Sequence, residues 1–274
     1  MKKNKPEIET LITGLQFPES PVFAQDGRLW FVEIEGGCLS CWDGNSLKRF
    51  DVDGTPNGAT IDKSGDIWFC DSRRGEIRKF YVQANKFETV CSTTTKGERL
   101  ICPNDLIFDA AGNLLFSDHA NGRKEARSRI YVLPKDSVAA ITISENKLFT
   151  NGLALSKDGQ TLIFAETYNQ LLWTGDWDAE KLIFSNEKPF AKVGNGMWGP
   201  DGMAFDEHEN LYVAIFDEYS LAVFDKAGKL LETIRCEGRR PTSCTFDPSG
   251  KLGLVVTEAE RGEIIYRTEN REDF

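Results

Sequence analysis

The stretch NGLALSKDGQTLIFA, residues 151–165, reads as a small polar residue, a short apolar strand, a turn closed by Gly159 and a second apolar strand. The chain repeats this pattern. Six ten-residue copies align without gaps: PESPVFAQDG from Pro18, PNGATIDKSG from Pro56, PNDLIFDAAG from Pro103, TNGLALSKDG from Thr150, PDGMAFDEHE from Pro200 and PTSCTFDPSG from Pro241. The second residue of each copy, its anchor, is Glu19, Asn57, Asn104, Asn151, Asp201 or Thr242, and proline precedes it in five of the six. Eight residues beyond each anchor stands a turn position, occupied by Gly27, Gly65, Gly112, Gly159, Glu209 and Gly250. Successive anchors lie 38, 47, 47, 50 and 41 residues apart.

Each turn leads into a second apolar run: RLWFVE, DIWFCD, NLLFSD, TLIFAE, NLYVAI and KLGLVV. Third runs follow (GEIRKFYV, SRIYVLP, YSLAVFD, GEIIYRT), and fourth runs lead back to the next anchor (KFETVCS, ENKLFT, KLLETIRC). Short strands joined by Gly, Asp and Asn turns, without a sustained 3.6-residue period, predict an all-β chain with little helix. Four strands per repeat of this length predict a six-bladed β-propeller of four-stranded blades, with residues 1–274 forming one domain. The last repeat ends after its third strand, near Arg267, while EIETLITGLQ resembles a fourth strand. Residues 8–13 are therefore expected to close the last blade and to remove two exposed sheet edges.

Net charge is -10, with acidic residues spread along the chain. That disfavours nucleic acid and an anionic membrane surface as partners. The basic start, MKKNKPEIET, has no apolar run behind it and does not read as a signal peptide. The seven cysteines are odd in number and irregular in spacing, as expected of buried, reduced thiols in a cytoplasmic protein. Cys38 and Cys41 form a lone CxxC on opposite strand faces, a poor zinc site.

In a propeller the first strand of each blade lines the central channel, so the six anchors form a ring. The ring offers oxygen from every member and neither imidazole nor thiolate. That set suits one hard divalent cation, Ca²⁺ foremost, with Mg²⁺, Mn²⁺ or Zn²⁺ left open. The competing reading is local: Asn, Asp and Thr favour strand starts because their side chains bond nearby backbone. Glu19 escapes that reading, since glutamate is a poor turn former.

The pieces PESPVF, PNDLIFDAAGNLLFSD, TNGLALSKDGQTLIFAET and PDGMAFDEHENLYVA, and nearly the whole chain with them, resemble the senescence-marker-protein/gluconolactonase family, also called regucalcin-like. The resemblance implies a six-bladed propeller with a divalent metal in its channel and hydrolysis of sugar-acid lactones. It implies Glu19, Asn151 and Asp201 as metal ligands, Asp201 as general base, and Asn104 beside the metal. Two departures touch the substrate side. Cys102 stands where some members place a sugar-binding arginine, and Ala-Asn-Gly follows Asp118-His119 where an acidic partner is expected.

The expected activity is thus metal-dependent opening of a lactone, with Asn104 and Asn57 donating amide hydrogens to the substrate. His119 is a candidate substrate contact or proton shuttle at the channel mouth, against a plain hydrogen-bonding or surface role. Met197 and Trp198, just before the Pro200 copy, are a candidate apolar wall, against packing between blades. The basic loop 120–129 is a candidate lid or steering element, against a solvated loop. Esterase or phosphotriesterase chemistry at the same metal is one alternative. A non-catalytic propeller that binds Ca²⁺ or a small ligand is another.

Overall fold

The structure is a computed structural model and describes residues 8–268. The lead residues 1–7, read above as no signal peptide, lie outside the described residues. Six antiparallel sheets follow one another along the chain. Their inner strands are Pro18–Phe23, Pro56–Ile61, Pro103–Phe108, Thr150–Leu155, Pro200–Phe205 and Pro241–Phe246, the six copies read from the sequence. Each inner strand touches the next, and the sixth touches the first, so the sheets close into a six-bladed propeller. The ring is sealed by Ile8–Thr13, which pairs antiparallel with Glu263–Arg267 and supplies the last blade's outermost strand.

The turn positions explain the repeat. Gly27, Gly65, Gly112, Gly159 and Gly250 have φ between 70° and 93°, and Glu209 has φ 61°. That left-handed backbone turns the inner strand into the second strand, and glycine adopts it without a Cβ penalty.

The core is divided among the blades. The strand Leu29–Glu33 is buried throughout, because alternation sends Trp30 and Val32 toward the second blade and Leu29 and Phe31 toward the sixth. The same division recurs around the ring, giving six apolar clusters, one per blade interface. All seven cysteines are buried and free.

Three details differ from the sequence expectation. The third blade has five strands, because Thr93–Thr94 pairs in parallel with Ala139–Lys147. That same strand lies mostly upstream of the ENKLFT segment. The second strand of the sixth blade is Leu254–Glu258, shifted past KLGLVV because the turn before it extends through Gly253. The only helical element among the described residues is the 3₁₀ turn Thr167–Asn169, and no helix is long and apolar enough to cross a membrane.

Candidate metal centre and substrate cavity

Every inner strand breaks its pairing beside its anchor. The register slips between Glu19 and Val22, Pro56 and Ala59, Pro103 and Leu106, Thr150 and Leu153, Pro200 and Met203, and Pro241 and Ser243. Such bulges re-aim side chains. Glu19, Asn57, Asn104, Asn151 and Asp201 all line one cavity of about 330 Å³ at the strand-start end of the ring. The sixth anchor is not among its lining residues. Thr242 donates its hydroxyl to the Pro18 carbonyl at 2.8 Å, which ties the sixth blade to the first.

The amide anchors are held from behind. Asn57 donates Nδ2 to the Ser72 hydroxyl at 3.3 Å, and Ser72 donates to the Pro103 carbonyl at 2.7 Å. Asn151 donates Nδ2 to the Thr167 hydroxyl at 3.2 Å, and Thr167 donates to the Pro200 carbonyl at 2.7 Å. These relays leave the Oδ1 atoms of Asn57 and Asn151 without a protein donor. Asn104 is buried, and its side chain makes no hydrogen bond among the described residues.

Three carboxyl groups lie near enough to one another at this end of the ring to repel. Glu19 and Asp201 are buried anchors, and the third is Asp105, the residue after an anchor. Asp105 accepts from the Leu106 N–H at 2.9 Å and the Leu153 N–H at 3.0 Å. Glu19 accepts only from its neighbour Ser20, and no arginine or lysine pairs with any of the three among the described residues. Burial first, then repulsion from Asp201 and Asp105, pushes the Glu19 carboxyl well above its usual range. Burial and Asp105 do the same to Asp201, and burial lifts Asp105 to about 6.

No three His, Cys, Asp or Glu side chains among the described residues converge closely enough to hold a metal by themselves. The donors here are two anchor carboxylates and neighbouring amide oxygens. That mixed set fits a hard divalent cation, whose charge would relieve the repulsion.

A belt of rings surrounds the mouth. Phe17 stacks on Phe216 at 6.2 Å, Phe216 meets Trp198 at 5.3 Å, and Trp198 meets Phe149 at 6.4 Å. Phe149 in turn lies flat on His119 at 4.1 Å. Phe17 and Phe149 occupy left-handed backbone, at φ 58° and 62°, a strained conformation for bulky residues. His119 accepts the Asn121 N–H at Nδ1 (3.1 Å), so its proton sits on Nε2. Burial, then Arg123, lowers its pKa to about 4, which makes it a neutral donor rather than a proton shuttle. Trp198 forms the wall expected of it. Met197 does not: its side chain is 80% exposed. Of the loop 120–129, Arg123 alone lines the cavity, its guanidinium 5.5 Å from the Trp198 ring centre.

The sequence reading missed Phe17, Phe149 and Arg240, each two residues before an anchor, and Ile34 and Phe216, each fifteen residues after one. His119 shares that second offset. The anchors' own register therefore carried a signal for the rim.

The model of the SMP-30/gluconolactonase/LRE-like region matches residues 17–260. The chain belongs to this family. Diisopropyl-fluorophosphatase of Loligo vulgaris is 30% identical over 298 aligned positions, spanning 94% of this chain and 92% of its own. Lactonase drp35 of Staphylococcus haemolyticus is 26% identical over 287, spanning 97% and 86%. Among solved structures, a Xanthomonas campestris gluconolactonase superposes with a TM-score of 0.83 at 24% identity, covering 95% of this chain and 89% of that one. A calcium-binding protein of Agrobacterium tumefaciens, regucalcin, gives 0.82 at 15% identity, covering 97% and 96%. Both structures share the fold.

Within this SMP-30/gluconolactonase/LRE-like chain, the two sequence departures have structural counterparts. Cys102 is buried away from the cavity lining, and burial together with Asp118 pushes its thiol up to about 12. The Asp118 carboxylate is consumed by the backbone N–H groups of Ile101, Cys102 and Ala120, at 2.8 to 2.9 Å. A larger groove of about 930 Å³ lies at the opposite strand ends, between the fourth and fifth blades. Its Glu209 pairs with Lys226 and its Glu187 with Lys147, while Asp158 and Asp176 accept hydrogen bonds from Ser156 and Asn186. The smaller cavity is therefore the candidate site.

Proposed function

We propose that the chain is a divalent-metal-dependent hydrolase that opens lactones at the cavity floor. One observation carries this reading: two buried anchor carboxylates and three amide anchors face a ligand-sized space, and no arginine or lysine among the described residues pairs with the carboxylates. Glu19, Asn151 and Asp201 would hold the ion, Ca²⁺ foremost, with Asn104 beside it. When bound, the cation supplies a polarised carbonyl and balances the negative charge that develops on it.

The chain's own residues do the rest. Asp201, ionised once its repulsion with Glu19 and Asp105 is offset, takes the proton of the attacking water as the water oxygen bonds to the carbonyl carbon. The ring C–O bond then breaks, the proton passes to the departing alkoxide, and a hydroxy acid leaves. Asn104 and Asn57 orient the substrate, His119 Nε2–H donates from the side, and Trp198 packs on the apolar part.

The test is a lactone panel assayed with Ca²⁺ and with chelator on wild type, Glu19→Gln and Asp201→Asn. Turnover should vanish in chelator and fall by about 10²–10⁴ in Asp201→Asn with the fold intact. Full activity of Asp201→Asn on a confirmed substrate would sink the assignment. The similarity to diisopropyl-fluorophosphatase supports a second reading, phosphotriester hydrolysis at the same floor. Fluorophosphate and aryl-ester substrates in the same panel separate the two.

A further inference from the structure

The walls of this cavity do not suit a polyol. Above the floor they are Phe17, Phe149, Trp198 and Phe216, and the nearby Asp118 carboxylate is spent on backbone N–H groups. The rim carries two guanidiniums, each on a ring: Arg240 lies 5.5 Å from the Phe216 centre and Arg123 5.5 Å from the Trp198 centre. Arg240 has a carboxylate partner, Asp217 at 3.3 Å, which it shares with Arg239. Arg123 has no carboxylate partner among the described residues, and its neighbour His119 is neutral and adds no charge. A guanidinium held over an aromatic face is poorly hydrated and presents its donor fork to an oxyanion. The volume, about 330 Å³, lies at the small end for ligand sites.

We infer that the natural substrate is an amphipathic anion: a lactone or ester with an apolar or aromatic body and, at the end away from the scissile carbonyl, a carboxylate or phosphate that docks on Arg123. As a statement about a substrate it rests on the hydrolase reading above, but its binding side can be tested without turnover.

The Ca²⁺-loaded protein is titrated calorimetrically with 4-phenylbutanoate, 3-phenylpropyl phosphate and the uncharged 4-phenylbutanamide. Wild type should prefer the anions by about tenfold, as expected for a charge-assisted contact at a partly open site. Arg123→Gln should collapse the ratio to near one, and Arg123→Lys should restore part of it. The stronger of the two anions identifies the headgroup. Equal binding of acid, phosphate and amide by wild type overturns the inference, as does an Arg123→Gln variant that keeps the anion preference. Neutral lactones hydrolysed without any anion preference would remove this inference and leave the hydrolase. An anion preference without hydrolysis of any ester would remove the hydrolase and leave the anion site.

Discussion

Asp105 is the residue whose role was hardest to see in advance. It follows an anchor, where the other copies carry Ser20, Gly58, Gly152, Gly202 and Ser243. Three of those are glycines because a Cβ would strike the neighbouring inner strand, at 2.5 Å for Gly58, 2.3 Å for Gly152 and 2.2 Å for Gly202. Asp105 is not among the residues lining the cavity, but it stands near enough to Glu19 and Asp201 to raise both, a proximity that depends on the bulge, which the sequence does not announce. Its folded pKa, about 6, lies above the ordinary 3.8. A raised carboxylate stabilises the fold below its unfolded pKa, and that stability is lost as pH climbs through the folded value. In chelator, wild type should therefore weaken between pH 4 and 6. Asp105→Asn should remove roughly 2 kcal/mol of that fall, discounted because Asp105 keeps some solvent contact. Urea unfolding at pH 4.5 and 7 reads it, and the opposite titration of His119 cancels in the difference. Parallel pH slopes for the two proteins would refute the assignment. A second residue-scale prediction concerns Glu209, the one side chain at a left-handed turn position. Glu209→Gly should relieve the left-handed backbone, at the loss of only an exposed pair with Lys226, and raise Tm by about 2 °C in a thermal melt.

At the scale of the element, the second strands end on a buried carboxylate in five blades: Glu33, Asp71, Asp118, Glu166 and Glu258. Each accepts a backbone N–H from the lead-in to its own inner strand, Gln16, Thr55, Ile101, Leu148 and Arg240 respectively, at 2.6 to 3.1 Å. These clamps set where each anchor begins. The acids were visible at the ends of the second runs, yet nothing in alternation alone distinguishes a clamp from a solvated strand end. The fifth blade has Ile215 there, and Glu218 holds its lead-in from outside through the Asn195 and Gly196 N–H groups, at 2.6 and 2.5 Å. That lead-in carries Trp198. Glu258→Gln puts an amide where the Arg240 and Arg261 N–H groups, both at 2.7 Å, need an acceptor. It should cost about 2–3 kcal/mol in urea unfolding. A loss under 0.5 kcal/mol would show that the clamp is dispensable. Strand order was readable because apolar alternation and turn glycines are local. The fifth strand of the third blade was not, because Thr93–Thr94 is a two-residue pairing with no pattern of its own.

For the whole molecule, six interfaces of similar make share the apolar core, and the ring stands only when all are made. The six-copy repeat made that architecture legible, closing strand included. Rim residues two before or fifteen after an anchor follow the same register, whereas Arg123 sits on a loop that obeys no period. Deleting the chain up to Thr13 strips Glu263–Arg267 of its partner and uncovers Ile264, which is fully buried with Ile12. The truncated protein should aggregate and lose a single cooperative melt, as read by size-exclusion chromatography and calorimetry. A monomer melting like the full chain would refute this. The closure also imposes an order on biosynthesis. The strand Ile8–Thr13 has no mate until Glu263–Arg267 has left the ribosome, on the order of ten to fifty seconds later at ordinary elongation rates. Glu19 and Asp201 flank the blade sealed in that final event, so the nascent chain has no finished cavity with which to capture an ion or a substrate. On the proposed function, loading is therefore a post-translational act that follows closure of the ring.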